Sequence, residues 1–252
     1  MSNFDRNYAA TPRGFATDRA VVDAGLRAHM IRVYNYMAIG VALTGLVAWF
    51  TFQAAVTTTA GGALALTPFG HTLFGTPLMW VVMLAPLALV FALSFGINRL
   101  SAPAAQALFF VYAALVGLSL ATIFLAYTET SITRVFFISA AAFGGLSLWG
   151  YTTKRDLSGM GSFLIMGLIG IIIASLVNIF LKSSGLDWII SVIGVIVFAG
   201  LTAWDTQKIK EMYSPMDDGS IAGRKAVMGA LSLYLDFINL FLMLLRLFGD
   251  RR

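Results

Sequence analysis

The chain has 252 residues, of which 59% are hydrophobic and only 12% charged. Soluble domains carry roughly twice that share of charge, about 25%. A fold of this size cannot bury so much apolar surface while showing water so few charges. That excludes an ordinary cytosolic enzyme, a disordered chain and a nucleic-acid-binding module, and leaves a multi-pass membrane protein. With no cysteine in the chain, disulfides, thiolate zinc sites and thiol nucleophiles are excluded as well. Two histidines, His29 and His71, are too few and too far apart for a histidine-rich metal cage.

Residues 1–30 read as a polar, basic tail with Arg6, Arg13, Arg19 and Arg27, followed by Arg32 just before the first apolar stretch. The tail lacks the apolar centre of a cleavable signal peptide, so the first apolar helix is expected to serve as a retained targeting signal. Residues 31–252 read as a single transmembrane domain. A transmembrane helix needs about 20 apolar residues to cross about 30 Å of hydrocarbon. Such stretches lie at 34–56, 79–98, 103–126, 133–151, 162–182, 187–208 and 226–248, giving an all-α polytopic fold of seven spans. The link 57–78, rich in Thr and Gly with Pro68 and Pro77, reads as an irregular loop. The other joints are short and hold breakers or charge, as at Arg99–Pro103, Thr152–Asp156 and Lys208–Lys225. Trp49, Trp80, Trp149, Trp188 and Trp204 fall near the ends of the stretches, the pattern of an aromatic interface belt. No internal repeat is evident, so an inverted-repeat transporter has no direct support.

With the N-terminus in the cytoplasm, inside segments hold twelve of the 17 Lys and Arg residues, the bias expected of cytoplasmic loops. The basic C-terminus, with Arg246, Arg251 and Arg252, opposes that bias and leaves a re-entrant final segment as the alternative to a full seventh span.

The chain's 12 acidic residues sort by position. All but two lie in the tail or in and beside loops. Asp205 stands near the end of the sixth stretch and Asp236 in the middle of the seventh. An ionised carboxylate at the centre of a membrane helix costs roughly 2.5–3.5 kcal/mol even on the lenient insertion scale, so Asp236 needs a partner, a proton or a cation. The sixth stretch runs towards the cytoplasmic face and the seventh returns from it, so the two acids can meet in the cytoplasmic half if those helices pack side by side. Ser232, Asp236 and Asn239 share one helix face by i−4 and i+3 spacing. Arg99, at the cytoplasmic end of the second stretch, reads as a topology anchor that can also reach the acids as a counter-charge. Asn178 and Asn239 read as interhelical hydrogen-bonding groups.

Several segments resemble the Bax inhibitor-1 family, the transmembrane Bax-inhibitor-motif proteins, and its bacterial members most closely. They are Ala113–Phe124, Gly150–Ser158, Gly161–Gly170, Ala174–Leu181, the Thr-Ala-Trp-Asp-Thr-Gln-Lys-Ile-Lys of Thr202–Lys210, and the Ala-Leu-Ser-Leu-Tyr-Leu-Asp-Phe-Ile-Asn-Leu-Phe of Ala230–Phe241. The resemblance covers roughly 30–250, and the last two motifs are specific in combination. It implies a seven-helix fold with the last helix enclosed by the other six. It also implies a bacterial inner-membrane protein that conducts a pH-sensitive calcium leak, with calcium as the transported ion and no cofactor.

In the family picture the acids of the last two motifs share a proton, which assigns Asp205 and Asp236 as the proton-sensing pair and a weak calcium site. Arg99 is the match for an arginine implicated in closing the path. Some bacterial members carry an acid within the second helix, and this chain has none between 79 and 98. Elementary electrostatics agrees with the pair. Two carboxyl groups in hydrogen-bonding contact ionise together only at high cost, so they titrate as one unit. They also offer a hard cation part of the six to eight oxygens that calcium takes.

The alternative is a regulatory protein that binds another membrane protein, such as a membrane-bound protease, without conducting ions. An intramembrane aspartyl protease also uses two helix-borne acids, but its Gly-x-Gly-Asp context is absent here, so no enzyme is expected. The partners expected are the lipid bilayer, calcium ions and a membrane protein, with no nucleic acid.

Overall fold

The computed structural model describes residues 13–59 and 63–252; the tail residues up to 12, Arg6 among them, lie outside it. In chain order it contains α1 (Arg13–Ala55), a hairpin of β1 (Val56–Thr58) and β2 (Leu64–Leu66), α2 (Pro68–Phe74) and α3 (Leu78–Gly96). A 3-10 turn at Ile97–Arg99 leads to α4 (Ala102–Leu120) and the one-turn α5 (Ile123–Ala126). The remaining elements are α6 (Glu129–Thr152), α7 (Ser158–Leu181), α8 (Ser184–Glu211) and α9 (Gly219–Phe248). Seven of these segments are long and apolar enough to cross a membrane, and they coincide with the seven stretches read from the sequence.

Two boundaries differ from that reading. Helix α1 begins at Arg13 rather than near residue 34, because no proline interrupts the chain between 13 and 33. The link 57–78 is not irregular. Its β-branched Val56-Thr57-Thr58 run pairs antiparallel with Leu64–Leu66, as β-branched residues favour. Thr67 then caps α2, its hydroxyl accepting the N–H of Gly70 at 3.1 Å, and Pro68 occupies the first turn, where its missing N–H costs nothing.

Capping by short polar side chains sets the starts of most spans. Ser101 accepts the N–H of Ala104 ahead of α4, and Thr128 that of Ser131 ahead of α6. Ser183 does the same for Leu186 and Asp218 for Ile221, starting α8 and α9.

Helix α9 is the core of the bundle: 72% of its most apolar window is buried, against 11% for α3 and α7. It packs extensively on α8, α1, α6 and α4, while α3 lies outside on α4 and α7 outside on α8. Four helices therefore make the principal contacts around it. The outer helices show their apolar residues outward, Phe95 at 81% and Phe180 at 86% exposure, which a lipid environment accepts and water would not. As a continuous helix of 30 residues, α9 is long and apolar enough for a full span, without the break a re-entrant segment would need.

The spans define two faces. The near face holds the start of α1, Arg99, the α6–α7 turn and the α8–α9 connection. The far face holds the hairpin, α2 and the C-terminus. At the far face the C-terminal residues fold back onto the start of α6. The Thr128 N–H donates to Asp250 O at 3.1 Å and the Arg252 N–H to Ala126 O at 3.0 Å. The Asp250 N–H donates to Ser131 Oγ at 2.9 Å, and Arg134 pairs with the Asp250 carboxylate at 3.1 Å. Asp187 at the start of α8 faces Arg246 and Arg251 at 3.6 and 3.7 Å. The basic C-terminus that opposed the charge bias is thus held by acids of its own face.

Candidate functional site: a buried carboxyl pair

Asp205 and Asp236 come together. Their carboxyl groups lie within hydrogen-bonding reach across the α8–α9 contact, the most extensive helix pairing in the bundle. Asp236 is 4% exposed, and among the described residues no amide, hydroxyl or cationic donor reaches its buried Oδ2. What faces the Asp236 carboxyl is the Asp205 carboxyl. The pair sits roughly 9 Å along α8 from its near-face end at Glu211, six residues at 1.5 Å each. Along α9 it is about 25 Å, 17 residues, past Gly219. The α9 helix starts seven residues before the stretch read from the sequence and carries Arg224 and Lys225 in its first turns.

Close backbone approach makes this contact possible. Gly150 of α6 lies directly against the Ala203 carbonyl of α8, and Gly161 of α7 against the Trp204 ring. Small residues at helix crossings allow such approach within membranes. Two residues on from Asp205, Gln207 binds the α6–α7 turn from both sides. Its Oε1 accepts the Leu157 N–H at 2.8 Å, and its Nε2 donates to Arg155 O at 2.8 Å. Lys210 Nζ donates to Tyr151 O at 2.9 Å.

A run of hydroxyls continues beside the pair. Thr206 Oγ1 donates to Thr202 O at 2.7 Å, which leaves it to accept from Ser147 Oγ at 2.9 Å. Ser147 in turn accepts from the Tyr34 hydroxyl at 2.6 Å. The chain links α1, α6 and α8. A second one ties α9 to α1 and α4: Tyr234 and Thr44 hydroxyls stand 2.6 Å apart, and Thr44 Oγ1 lies 2.8 Å from Ala113 O.

Other residues singled out from the sequence are placed differently. Arg99 is exposed at the near face and, among the described residues, makes neither an ion pair nor a side-chain hydrogen bond. The cation nearest along the chain is Lys208, three residues after Asp205, with Nζ 4.8 Å from the centre of the Trp204 ring. Asn239 donates to Leu235 O of its own helix at 2.8 Å rather than across to a neighbour. Asn178 accepts the Ser183 N–H at 3.0 Å, closing the turn after α7. Both amides hydrogen-bond within their own segments. Ser232 is half-buried on α9. Among the described residues no cluster of three or more acids or histidines gathers at the pair, so a cation there would draw on two carboxyls, backbone carbonyls and water.

Fold and site together define a seven-helix membrane protein whose most buried helix carries one carboxyl, paired with a second on the neighbouring helix. The chain belongs to the Bax1-I family, described as inhibitor of apoptosis-promoting Bax1, whose model matches residues 26–252. The inner membrane protein YbhL of Escherichia coli is 50% identical over 231 residues, covering 91% of this chain and 94% of that one. An uncharacterised protein of Rickettsia prowazekii is 50% identical over 230 residues, 91% and 92% of the two chains. One from Caulobacter vibrioides is 46% identical over 256 residues and the whole length of both.

Proposed function

We propose that the protein is a pH-sensitive calcium leak channel of the bacterial inner membrane, with its N-terminus in the cytoplasm. The observation that carries the reading is the Asp205–Asp236 pair: two carboxyls on the two most closely packed helices, one of them 4% exposed and faced by the other. A proton shared between them joins α8 to α9. Its loss leaves two negative charges in a low-dielectric core, which separate or recruit a cation. Two carboxylates supply only part of the six to eight oxygens that calcium takes. Such a weak, incomplete site suits passage better than storage. In this reading the protein is a conduit and not an enzyme. Lys208, three residues after Asp205, is the near-face cation that can compete with calcium for the pair; Arg99 stands exposed on the same face. Orientation is supported by the Lys and Arg bias to the near face, and the location by the inner-membrane description of the YbhL relative.

The test is calcium flux into proteoliposomes across a pH series, for wild type, Asp205→Asn and Asp236→Asn. The expected result is a pH-dependent flux in wild type that loses its pH dependence in both variants. Flux and pH profile unchanged by either substitution would overturn the reading and favour the alternative of a regulatory protein that binds another membrane protein.

A further inference from the structure

Helices α1 and α6 flank α9 without packing along each other. At the near-face half of this seam lies a cleft of about 380 Å³. Its walls include Ile31 and Tyr34 of α1 and Phe143, Gly144 and Leu148 of α6, and its rim holds Arg27 and Tyr151. Ile31 and Leu148 are 49% and 63% exposed. The cleft is therefore open sideways, at a depth where both of its walls are membrane spans. No acidic side chain lines it. A second cation stands at the same rim: Lys210 Nζ donates to Tyr151 O at 2.9 Å and lies 5.3 Å from the centre of that ring.

We propose that this cleft is a binding slot for an anionic phospholipid of the near-face leaflet, with the phosphate at Arg27 and one acyl chain along the α1–α6 seam. An apolar trough opening sideways at membrane depth excludes water, and the hydrocarbon beside it fills it. A cation at the rim with another close by selects the sign of the headgroup. The distances suit this occupant. From Arg27 to Tyr34 is about 10 Å along the helix axis, enough for the upper part of an acyl chain. Tyr34 and Ser147, both in its lining, are joined across the seam by a hydroxyl contact of 2.6 Å. Gly144 gives the trough its width: a Cβ placed there would meet no atom within 4 Å.

Native mass spectrometry of the delipidated full chain, titrated with phosphatidylglycerol and with phosphatidylcholine of the same acyl chains, tests the slot. Wild type is expected to bind phosphatidylglycerol about fivefold more tightly, the discrimination that one surface cation provides. Arg27→Gln should remove that preference. Gly144→Leu should weaken both lipids by filling the trough, and the open space at its Cβ leaves the fold intact, which the melting temperature checks. A phosphatidylglycerol carrying a diazirine on its acyl chain should crosslink within 30–34 and 143–148. Equal affinity for the two lipids in wild type, wild-type behaviour of both variants, crosslinks confined to other helices, or a stable dimer closing this face would each overturn the proposal.

Discussion

The side-chain amide of Gln207 grips the turn at Leu157 and Arg155, accepting the N–H of the first and donating to the carbonyl of the second, each at 2.8 Å. Leu157 is 5% exposed, so its N–H has no water to replace the lost acceptor. Replacing Gln207 by Ala should cost about 1–3 kcal/mol, the range for a buried donor left without a partner. Gln207→Glu, which keeps an acceptor for Leu157 and loses the donor to Arg155, should fall between Gln207→Ala and wild type. Thermal unfolding in detergent reads the order. Melting temperatures equal to wild type in both variants would show that the turn is held by something else.

The same turn gives a pH-dependent contribution outside the membrane. The Ser158 N–H reaches Asp156 Oδ1 at 2.8 Å, and that bond, with help from the Ser158 hydroxyl, holds the Asp156 carboxyl below its ordinary value of 3.8. The folded value is the lower one. The stabilisation is therefore fully present above the unfolded value and is lost as pH falls through the folded one. Asp156→Asn should lower the melting temperature slightly at pH 7, and the gap to wild type should close below about pH 4. A gap that stays constant down to pH 3 would contradict this.

Glycines 144 and 150 stand on one helix and should respond oppositely. A Cβ at Gly144 meets open space, whereas one at Gly150 runs into the Ala203 backbone two residues before Asp205. Gly144→Ala should be neutral or slightly stabilising, since Ala is the better helix former by up to about 1 kcal/mol. Gly150→Ala should separate α6 from α8 and cost about 1–3 kcal/mol, as overpacked cores do. Melting temperatures of the two variants decide it, and equal effects would sink the argument.

Sequence and structure meet where the signal is strong and local. Runs of about 20 apolar residues cannot be mistaken for anything but spans, and Asp236 stood out because charge is so scarce around it. The partnership of Asp205 with Asp236 was legible because consecutive antiparallel helices bring their near-face halves together. Tyr34, Ser147 and Thr206 were not legible. Ser, Thr and Tyr are common throughout the spans, and nothing local says which hydroxyl of α1 meets which of α6. At Val56–Leu66 the glycines and threonines signal a loop, while the three β-branched residues in a row, which favour a strand, win in the structure. A helix end permits Arg99 the reach to the acids, but among the described residues it stands exposed on a 3-10 turn with no ion pair.

The hydroxyl run itself predicts non-additivity. Tyr34 donates to Ser147 and Ser147 to Thr206, so removing the middle group strands both neighbours. Ser147→Ala should cost about 1–2 kcal/mol, and Tyr34→Phe added to it should cost almost nothing more. A double-mutant cycle on melting free energies measures this; additive single effects would mean that the run is not a connected unit.

At the far face the chain's last residues close onto α6 through backbone bonds from Thr128 and Arg252 and through the Asp250 N–H to Ser131 Oγ at 2.9 Å. The ion pairs there are exposed, with Arg134 and Asp250 side chains at 54% and 67%, and such pairs contribute at most about 1 kcal/mol each. The backbone bonds should dominate. Removing residues 249–252 should therefore raise amide exchange at Thr128–Ile132 and at the end of α9. Arg134→Gln, which removes the charge but leaves those bonds, should change it little. Exchange mass spectrometry on the two variants separates the contributions. If Arg134→Gln alone loosened this end as much as the truncation, the charges and not the backbone would be holding the C-terminus in place.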